Sequence, residues 1–298
     1  MALTSESSIG TPNPRDAAAD PPRPSATSSQ LAVTQRRVIG SEWIKFRSVR
    51  SWTIMSAVAA LLMIAFGALA ASVASGAVAT SGPRPGGGPF AATDPTAISL
   101  SGTTLTQLIV GVLGVLFISN EYANGMIRAT FAAVPRRLPV LWAKVIVLAG
   151  SLVVLMVVAG LASFLLGQLI LGDGKNTTLG ADGVLRAVLG SGLYLAGIGV
   201  LGIAVGALLR NTAGAISVVV ATLLIVPGLA RLVLPEDWNT TITPYLPSSA
   251  GSAFTSVTGS DTLLAPAAGA AVFVGWLVIL LAGAAVMIRR RDACSERS

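Results

Sequence analysis

Six long apolar runs constrain this chain more than any other feature. Each is about as long as the ~20 residues that an α-helix needs to cross the hydrocarbon core of a bilayer. The 298 residues are 53% hydrophobic and 11% charged, whereas soluble domains are about 25% charged. The pattern predicts an all-α, polytopic membrane protein with six transmembrane helices, which are Thr53–Ser75, Ile98–Ser119, Val145–Leu171, Ala187–Leu209, Thr212–Leu232 and Pro266–Ile288.

The basic residues predict the orientation of these helices, because Lys and Arg are enriched in cytoplasmic segments. Both termini, the segment 119–144 and the turn at Arg210 hold most of the 20 Lys and Arg. The exceptions are Arg84, Lys175, Arg186 and Arg231. We therefore predict cytoplasmic N- and C-termini, with a disordered tail over 1–35, a transmembrane domain over 53–288, an external loop over 234–265 and a second tail over 289–298.

The segment 36–52, just before the first apolar run, is amphipathic. Ile39, Trp43 and Phe46 recur at helical spacing, and basic residues lie between them. This pattern is typical of a helix that lies in the membrane interface. Trp43 and Trp52 are expected at headgroup depth, where aromatic rings with a polar edge are common.

Missing residue types exclude several classes of function. The chain has no histidine, which rules out His-based metalloprotease motifs and Ser-His dyads. The six runs hold no Asp, Glu or Lys, and Arg231 lies only at the margin of the fifth. Ion-coupled carriers place ionisable groups inside their spans. Energy for uphill transport is therefore expected to come from outside the bilayer.

Two glycine patterns bear on whether this chain has a nucleotide-binding site of its own. A P-loop that contains Gly174-Lys175 would need Gly at position 169 and Ser or Thr at position 176, but the chain has Leu169 and Asn176, so that pattern is absent. The triplet Gly197, Gly199 and Gly202 matches a dinucleotide fingerprint, but it lies inside an apolar run with no strand before it. Close helix packing explains it better. We expect no catalytic residue, cofactor or metal in this chain.

Small and polar residues form stripes on two of the runs. Such stripes permit tight helix contact or line a solute path, and the sequence leaves both interpretations open. Pro227-Gly228 is expected to kink or break the fifth run near its outer end. The stripes are Thr103, Gln107, Gly111 and Gly114 in the second run, and Gly214, Ser217, Ala221 and Gly228 in the fifth.

The segment Ser119–Lys144 is a charged island between apolar runs. On a helical wheel its apolar residues cluster on one side and its polar residues on the other, which predicts a short amphipathic helix that ends at Pro135. The alternative is a solvated loop that only obeys the positive-inside rule. The apolar side holds Ala123, Ile127, Phe131 and Val134, and the polar side holds Glu121, Asn124, Gly125 and Arg128.

Short motifs in a fixed order carry a family resemblance. They are Ser41-Glu42-Trp43-x-Lys45-x-x-Ser48-x-Arg50-Ser51, Glu121-Tyr122-x-x-Gly125-x-Ile127-Arg128-x-Thr130, Pro135-Arg136-Arg137 and Ala143-Lys144. With the six-span layout, the chain resembles permease subunits of type-two ABC exporters, especially the stand-alone permeases common in actinobacteria. The likeness runs from about residue 36 to Arg289-Arg290-Arg291.

The resemblance implies a partner and a mechanism. Such permeases lack an ATPase domain, form homodimers or heterodimers, and bind two copies of a separate ATP-binding subunit, which holds the ATP and Mg. Asn120–Pro135 would be the coupling helix seated in that subunit, and Gly40–Ser51 would be the connecting helix beside it. The second and fifth spans would face the dimer axis. We expect neither a nucleic-acid partner nor a catalytic role.

Three groups of site residues follow from the resemblance and the stripes. The ATPase-coupling group is Glu121, Tyr122, Asn124, Gly125, Arg128, Pro135, Arg136 and Arg137. The connecting-helix group is Glu42, Trp43, Lys45 and Arg50. The group on the solute path or dimer axis is Thr103, Gln107, Gly111, Ser217 and Ala221.

The predicted function is that of a transmembrane permease subunit of an ATP-driven ABC transporter in the bacterial plasma membrane. An apolar cavity edged by Thr103 and Gln107 suits an amphipathic or lipophilic solute. Two alternatives remain open. One is a passive channel or ion-coupled carrier that acts alone, and the other is a structural subunit of a membrane complex.

Overall fold

The computed structural model describes residues 34–78, 94–123, 138–172, 174–233, 235–259 and 263–290. Within these ranges the chain forms helices and no strand. Six helices are long and apolar enough to cross a membrane, namely Arg50–Ser75, Thr103–Glu121, Leu138–Leu171, Val184–Leu209, Thr212–Ala230 and Pro266–Arg289. The predicted all-α fold with six candidate membrane spans is therefore confirmed.

The helices are numbered in chain order. The N-terminal part contains α1 (Gln35–Ser48), α2 (Arg50–Ser75), α3 (Pro95–Ser99), α4 (Thr103–Ala123), α5 (Leu138–Leu171) and α6 (Val184–Leu209). The remainder contains α7 (Thr212–Val220), a π-helical segment (Ala221–Ile225), α8 (Val226–Val233), α9 (Glu236–Ile242), a 3₁₀ turn (Thr243–Tyr245), α10 (Pro247–Thr255) and α11 (Pro266–Arg290).

The second span begins later than predicted, because the helix is broken between Ser99 and Thr103. Asp94 caps the short helix α3 by accepting a hydrogen bond from the amide of Ala97 at 2.9 Å. A Cβ at Gly102 would collide with the backbone of Met63. The apolar run from Ile98 is thus a short helix, a tight turn and then the span itself, which hydropathy alone does not separate.

The fourth span, α6, is the centre of the bundle. Its apolar window is 83% buried, and it packs against α4, α5, α10 and α11. Glycine makes the contact with α4 close, since a Cβ at Gly202 would strike the carbonyl of Gly111, and one at Gly114 would strike that of Gly199. The glycine triplet in α6 therefore serves helix packing.

The fifth span contains the distortion expected near Pro227. The amide of Val226 donates to the carbonyl of Ala221, five residues earlier. Proline has no amide hydrogen, and its ring clashes with the carbonyl four residues before it. The widened π turn lies directly before this proline and relieves that clash. The fifth and sixth spans are only 22% and 17% buried, so both present broad apolar surfaces.

The predicted external loop over 234–265 is largely helical and returns into the bundle. In α10, Gly251 lies against the ring of Tyr194, which is in the middle of α6. The indole of Trp276 in α11 donates to the carbonyl of Tyr245 at 2.9 Å. A small-residue face on α10 permits this approach. The segment is therefore not a simple surface loop.

Candidate coupling site

Four ionisable side chains from three helices meet where α1, α4 and α5 converge. They are Glu42 and Lys45 of α1, Glu121 of α4 and Lys144 of α5, and they are called here the ion cluster. Two carboxylates face two ammonium groups, so the cluster is formally neutral. Burial of charge is tolerated in proteins when it is paired in this way.

Lys144 is the centre of the ion cluster. Its side chain is 3% exposed, and its Nζ lies 2.8 Å from Oε2 of Glu42 and 2.7 Å from Oε1 of Glu121. The ammonium also lies 4.9 Å from the centroid of the Phe117 ring, within the range of a cation–π contact. One side chain of α5 therefore joins α1 and α4.

Lys45 closes the cluster on its more open side. Its side chain is 39% exposed, and its Nζ lies 2.7 Å from Oε1 of Glu42 and 3.4 Å from Oε1 of Glu121. The same Glu121 oxygen thus accepts from both lysines. Because Lys45 is partly solvated, its ion pairs are weaker than those of Lys144.

The pKa values of the two α1 residues show that the pairing outweighs desolvation. Burial alone would raise the pKa of Glu42, but Lys144 and Lys45 together hold it below its ordinary value. Burial alone would lower the pKa of Lys45, but its hydrogen bond with Glu42 and the charge of Glu121 raise it. Both side chains are therefore ionised at neutral pH.

Aromatic rings lie directly beside the ion cluster. Phe117 of α4 packs edge-on against Phe46 at 6.0 Å and against Trp52 at 5.3 Å between ring centroids. Such apolar walls lower the local dielectric and strengthen each ion pair. Trp52 is buried in this contact, so it belongs to the helix packing rather than to an exposed interfacial ring, whereas Trp43 is 44% exposed.

The helices of the ion cluster belong to a segment with a known family signature. A family model described as "ABC-2 family transporter protein" matches residues 38–228. That range begins in α1, contains α4 and α5 with both of their cluster residues, and ends in α8. The chain belongs to the ABC-2 transporter family. No curated protein matches the chain.

Membership makes the chain the membrane permease component of an ABC transporter. ABC-2 permeases work with an ABC ATP-binding subunit. The ion cluster lies close to both ends of the segment Ser119–Lys144. Glu121 is two residues from the end of α4, and Lys144 is in the second turn of α5. The cluster therefore ties both ends of this segment of the ABC-2 permease to α1.

Most of the predicted coupling residues are not covered by the structure. Glu121 is the member of that group whose side chain the structure describes, and it lies in the ion cluster. Tyr122 lies in α4, but its side chain is outside the described part of the chain. Most of the predicted amphipathic helix also lies outside the described residues. The remaining coupling residues there are Asn124, Gly125, Arg128, Pro135, Arg136 and Arg137.

The segment 36–52, predicted to be the connecting helix, is covered largely by the helix α1. This helix ends at Ser48, and exposed Arg50 instead begins the first span. Val49 separates the two helices in an extended conformation. Glu42 faces inward, since α1 buries Val38, Glu42 and Phe46.

Sequence reasoning missed that Lys144 pairs with Glu42. Two signals could have found it. Glu42 recurs at helical spacing with Val38 and Phe46 on a buried face, and Lys144 directly precedes an apolar run. Because an unpaired buried charge is costly, a carboxylate on a buried apolar face is expected to pair with a cation from a neighbouring helix.

The two small-residue stripes have different environments in this ABC-2 permease. Gln107 is buried and accepts a hydrogen bond from the hydroxyl of Tyr194 at 2.5 Å. Gly111 faces Ile198 and Val219. These residues therefore pack inside the chain. Ser217 is exposed and donates to its own helix, and Ala221 is half-buried. Thr103, at the first position of α4, is also half-buried.

Proposed function

We propose that this ABC-2 permease uses ATP binding by a separate subunit to export an amphipathic or lipophilic solute, and that the ion cluster transmits the coupling movement. The observation that carries the proposal is Lys144, which is bonded to carboxylates on α1 and on α4. A force applied to the segment 119–144 would reach all three helices at this point.

Transmission follows from the way the helices are joined. Ion pairs in a low-dielectric site resist separation, so the ends of α1, α4 and α5 would move together. The glycine contacts between α4 and α6 leave little free space, and close-packed helices pass displacement to their neighbours. The central helix α6 would then repack. ATP must stabilise one arrangement over the other for this cycle to run.

The proposal includes two copies of the permease and two ATP-binding subunits. Support comes from the fifth and sixth spans, whose apolar windows are mostly uncovered within one chain. The face of the fifth span that carries exposed Ser217 and half-buried Ala221 is our choice for the dimer axis. We place both termini in the cytoplasm of a bacterial cell from the distribution of Lys and Arg, and the likeness to stand-alone actinobacterial permeases belongs to the same proposal.

An experiment on the assembled complex tests this function. The permease is co-expressed and purified with a candidate ABC ATP-binding subunit from the same genome, and the complex is reconstituted in proteoliposomes. We expect lipophilic dye efflux that requires ATP. The variant Glu121→Gln should uncouple ATP hydrolysis from efflux, while Arg289→Gln, on exposed α11, should leave both unchanged.

Other outcomes would reject the proposal or part of it. Efflux by the permease alone without ATP would favour a passive channel or a carrier. Failure to co-purify with any ABC ATP-binding subunit would favour a structural role. If Glu121→Gln keeps normal stimulation of ATP hydrolysis by the solute, the coupling role of the ion cluster is wrong although the transport function stands.

A further inference from the structure

An apolar groove of about 500 Å³ lies between α1 and α5. Ile39, Trp43 and Phe46 line it from α1, and one face of α5 from Ile146 to Val158 lines it from the other side. Ser151 is the polar side chain of this lining. The groove adjoins the ion cluster, because Phe46 also packs against Phe117 beside that cluster, but neither Glu42 nor Lys45 lines the groove.

The dimensions of the groove match one acyl chain. Ile146 and Val158 are 12 residues apart, which corresponds to about 18 Å along a helix. This is slightly more than half of the ~30 Å hydrocarbon core. The outward-facing side chains Ile146, Val154 and Val158 are exposed. An occupant would therefore extend through one leaflet, in contact with α5.

The α1 end of the groove carries positive charge. At 100° per residue, Arg36, Gly40, Trp43 and Arg47 fall on one side of α1, next to the lining residues. Both arginines are exposed, and neither has a carboxylate partner among the residues that the structure describes. A Cβ at Gly40 would meet nothing within 4 Å. Arg36 and Arg47 are eleven residues apart, about 16 Å along α1, so one guanidinium group lies near each end of the α1 lining, and either can reach a phosphate on this side of the helix.

We propose that this groove is a binding site for an anionic glycerophospholipid. One acyl chain lies along α5 from Ile146 to Val158, and the phosphate lies on the side of α1 that carries Arg36 and Arg47. Guanidinium groups recognise phosphate through charge-assisted hydrogen bonds. The site does not depend on the proposed transport function, because it needs neither a solute nor an ATP-binding subunit.

Native mass spectrometry of the full-length permease in detergent tests the site. The probes are phosphatidylglycerol and phosphatidylcholine with identical acyl chains. We expect a preference for phosphatidylglycerol. The variant Gly150→Leu fills the groove without a backbone clash, since its Cβ meets nothing within 4 Å. It should weaken binding of both lipids roughly tenfold, as expected for the loss of about two buried methylene groups.

The charge of the site has its own variant. Arg36→Gln with Arg47→Gln should reduce phosphatidylglycerol binding on the order of fivefold for each arginine and leave phosphatidylcholine binding unchanged. The matched controls are Gly275→Leu, at another open glycine on α11, and Arg289→Gln. Both should bind as the wild type does.

Three results would overturn the proposal. The first is equal binding of the two lipids by the wild type, which indicates only bulk lipid around the spans. The second is unchanged lipid binding by Gly150→Leu, which would mean that no acyl chain occupies the groove. The third is lipid binding that appears only after deletion of residues 1–33, which would mean that this segment occupies the groove.

Discussion

The two ends of α5 are joined to their neighbours by different chemistry. At one end Lys144 holds α1 and α4 through ion pairs. At the other, Ser163 donates to the carbonyl of Ser99 at 2.7 Å, and the side-chain amide of Gln168 donates to that of Pro95 at 3.1 Å. Ser99, Ser163 and Gln168 are called here the neutral cluster.

The two ends of α5 should respond differently to a change in nearby charge. A neutral hydrogen bond contributes about 1 kcal/mol net and does not depend on pH near neutrality. Breaking a buried ion pair costs about 3–5 kcal/mol, because an uncompensated charge remains. The neutral cluster fixes α3 against α5 in one position. The ion cluster would respond to charges brought near the segment 119–144, and the proposed coupling role depends on that response.

The largest effect is expected for Lys144→Met. It leaves Glu42 and Glu121 without their buried cation, so the free energy of unfolding should fall by about 3–5 kcal/mol. Unfolding in mixed detergent micelles measures it. The triple variant Lys144→Met, Glu42→Gln and Glu121→Gln should recover much of the loss. If Lys144→Met were as stable as the wild type, the ion cluster would not be the more strongly held end of α5.

A smaller loss is expected in the neutral cluster. Gln168→Leu removes hydrogen bonds to Pro95 and Ser99 and from the amide of Thr177 at 2.6 Å. We expect the free energy of unfolding to fall by about 2 kcal/mol, because the hydrogen bonds that are lost all join neutral groups. The same unfolding assay applies, with exposed Ser217→Ala as a control. If Gln168→Leu lost more free energy of unfolding than Lys144→Met, the neutral cluster would contribute more to stability than the ion cluster, contrary to the prediction.

Low pH should weaken the ion cluster and leave the neutral cluster unaffected. The pKa of Glu42 is below its ordinary value of 4.5, so between the two values the unfolded state binds more protons. The stability that ionised Glu42 contributes through its ion pairs is therefore present above about pH 4.5 and is lost as the pH falls through the lowered pKa. Glu42→Gln should flatten the acid limb of the stability curve, whereas Gln168→Leu should not. Parallel acid limbs for Glu42→Gln and the wild type would contradict the assignment.

The smallest effect is expected for Lys45→Met. Its side chain is 39% exposed, and exposed ion pairs contribute about 0–1 kcal/mol. The loss should shrink further in high salt, since solvent-exposed charges are screened. Measurement of unfolding at low and high ionic strength checks this. A salt-independent loss as large as that of Lys144→Met would show that Lys45 is as deeply buried as its partner.

Much of the architecture could be predicted because hydropathy and helix length are local properties. The six runs, the all-α class and the packing role of Gly202 follow from residues close in sequence. Boundaries were less predictable. The break before Thr103 depends on contact with Met63, and the start of α5 at Leu138 carries Lys144 into a span that was expected to begin at Val145.

The candidate site was only partly predictable for the same reason. The motifs around Glu42 and Glu121 indicated an ABC permease, and the family match agrees with them. They did not indicate that the two carboxylates share Lys144. Gln107 was predicted on a solute path or the dimer axis, and no local pattern indicated its hydrogen bond with Tyr194, a residue 87 positions away in the chain.

The six apolar spans, their low content of charged residues and the family of the chain can all be read from the amino-acid sequence. These properties depend on composition and on short motifs. The tertiary structure alone decided that Glu42, Glu121 and Lys144 form one buried cluster. Their pairing requires three helices to converge over a separation of 102 residues, and the free energy of a buried charge depends on what lies within a few ångströms of it, not on its neighbours in the chain.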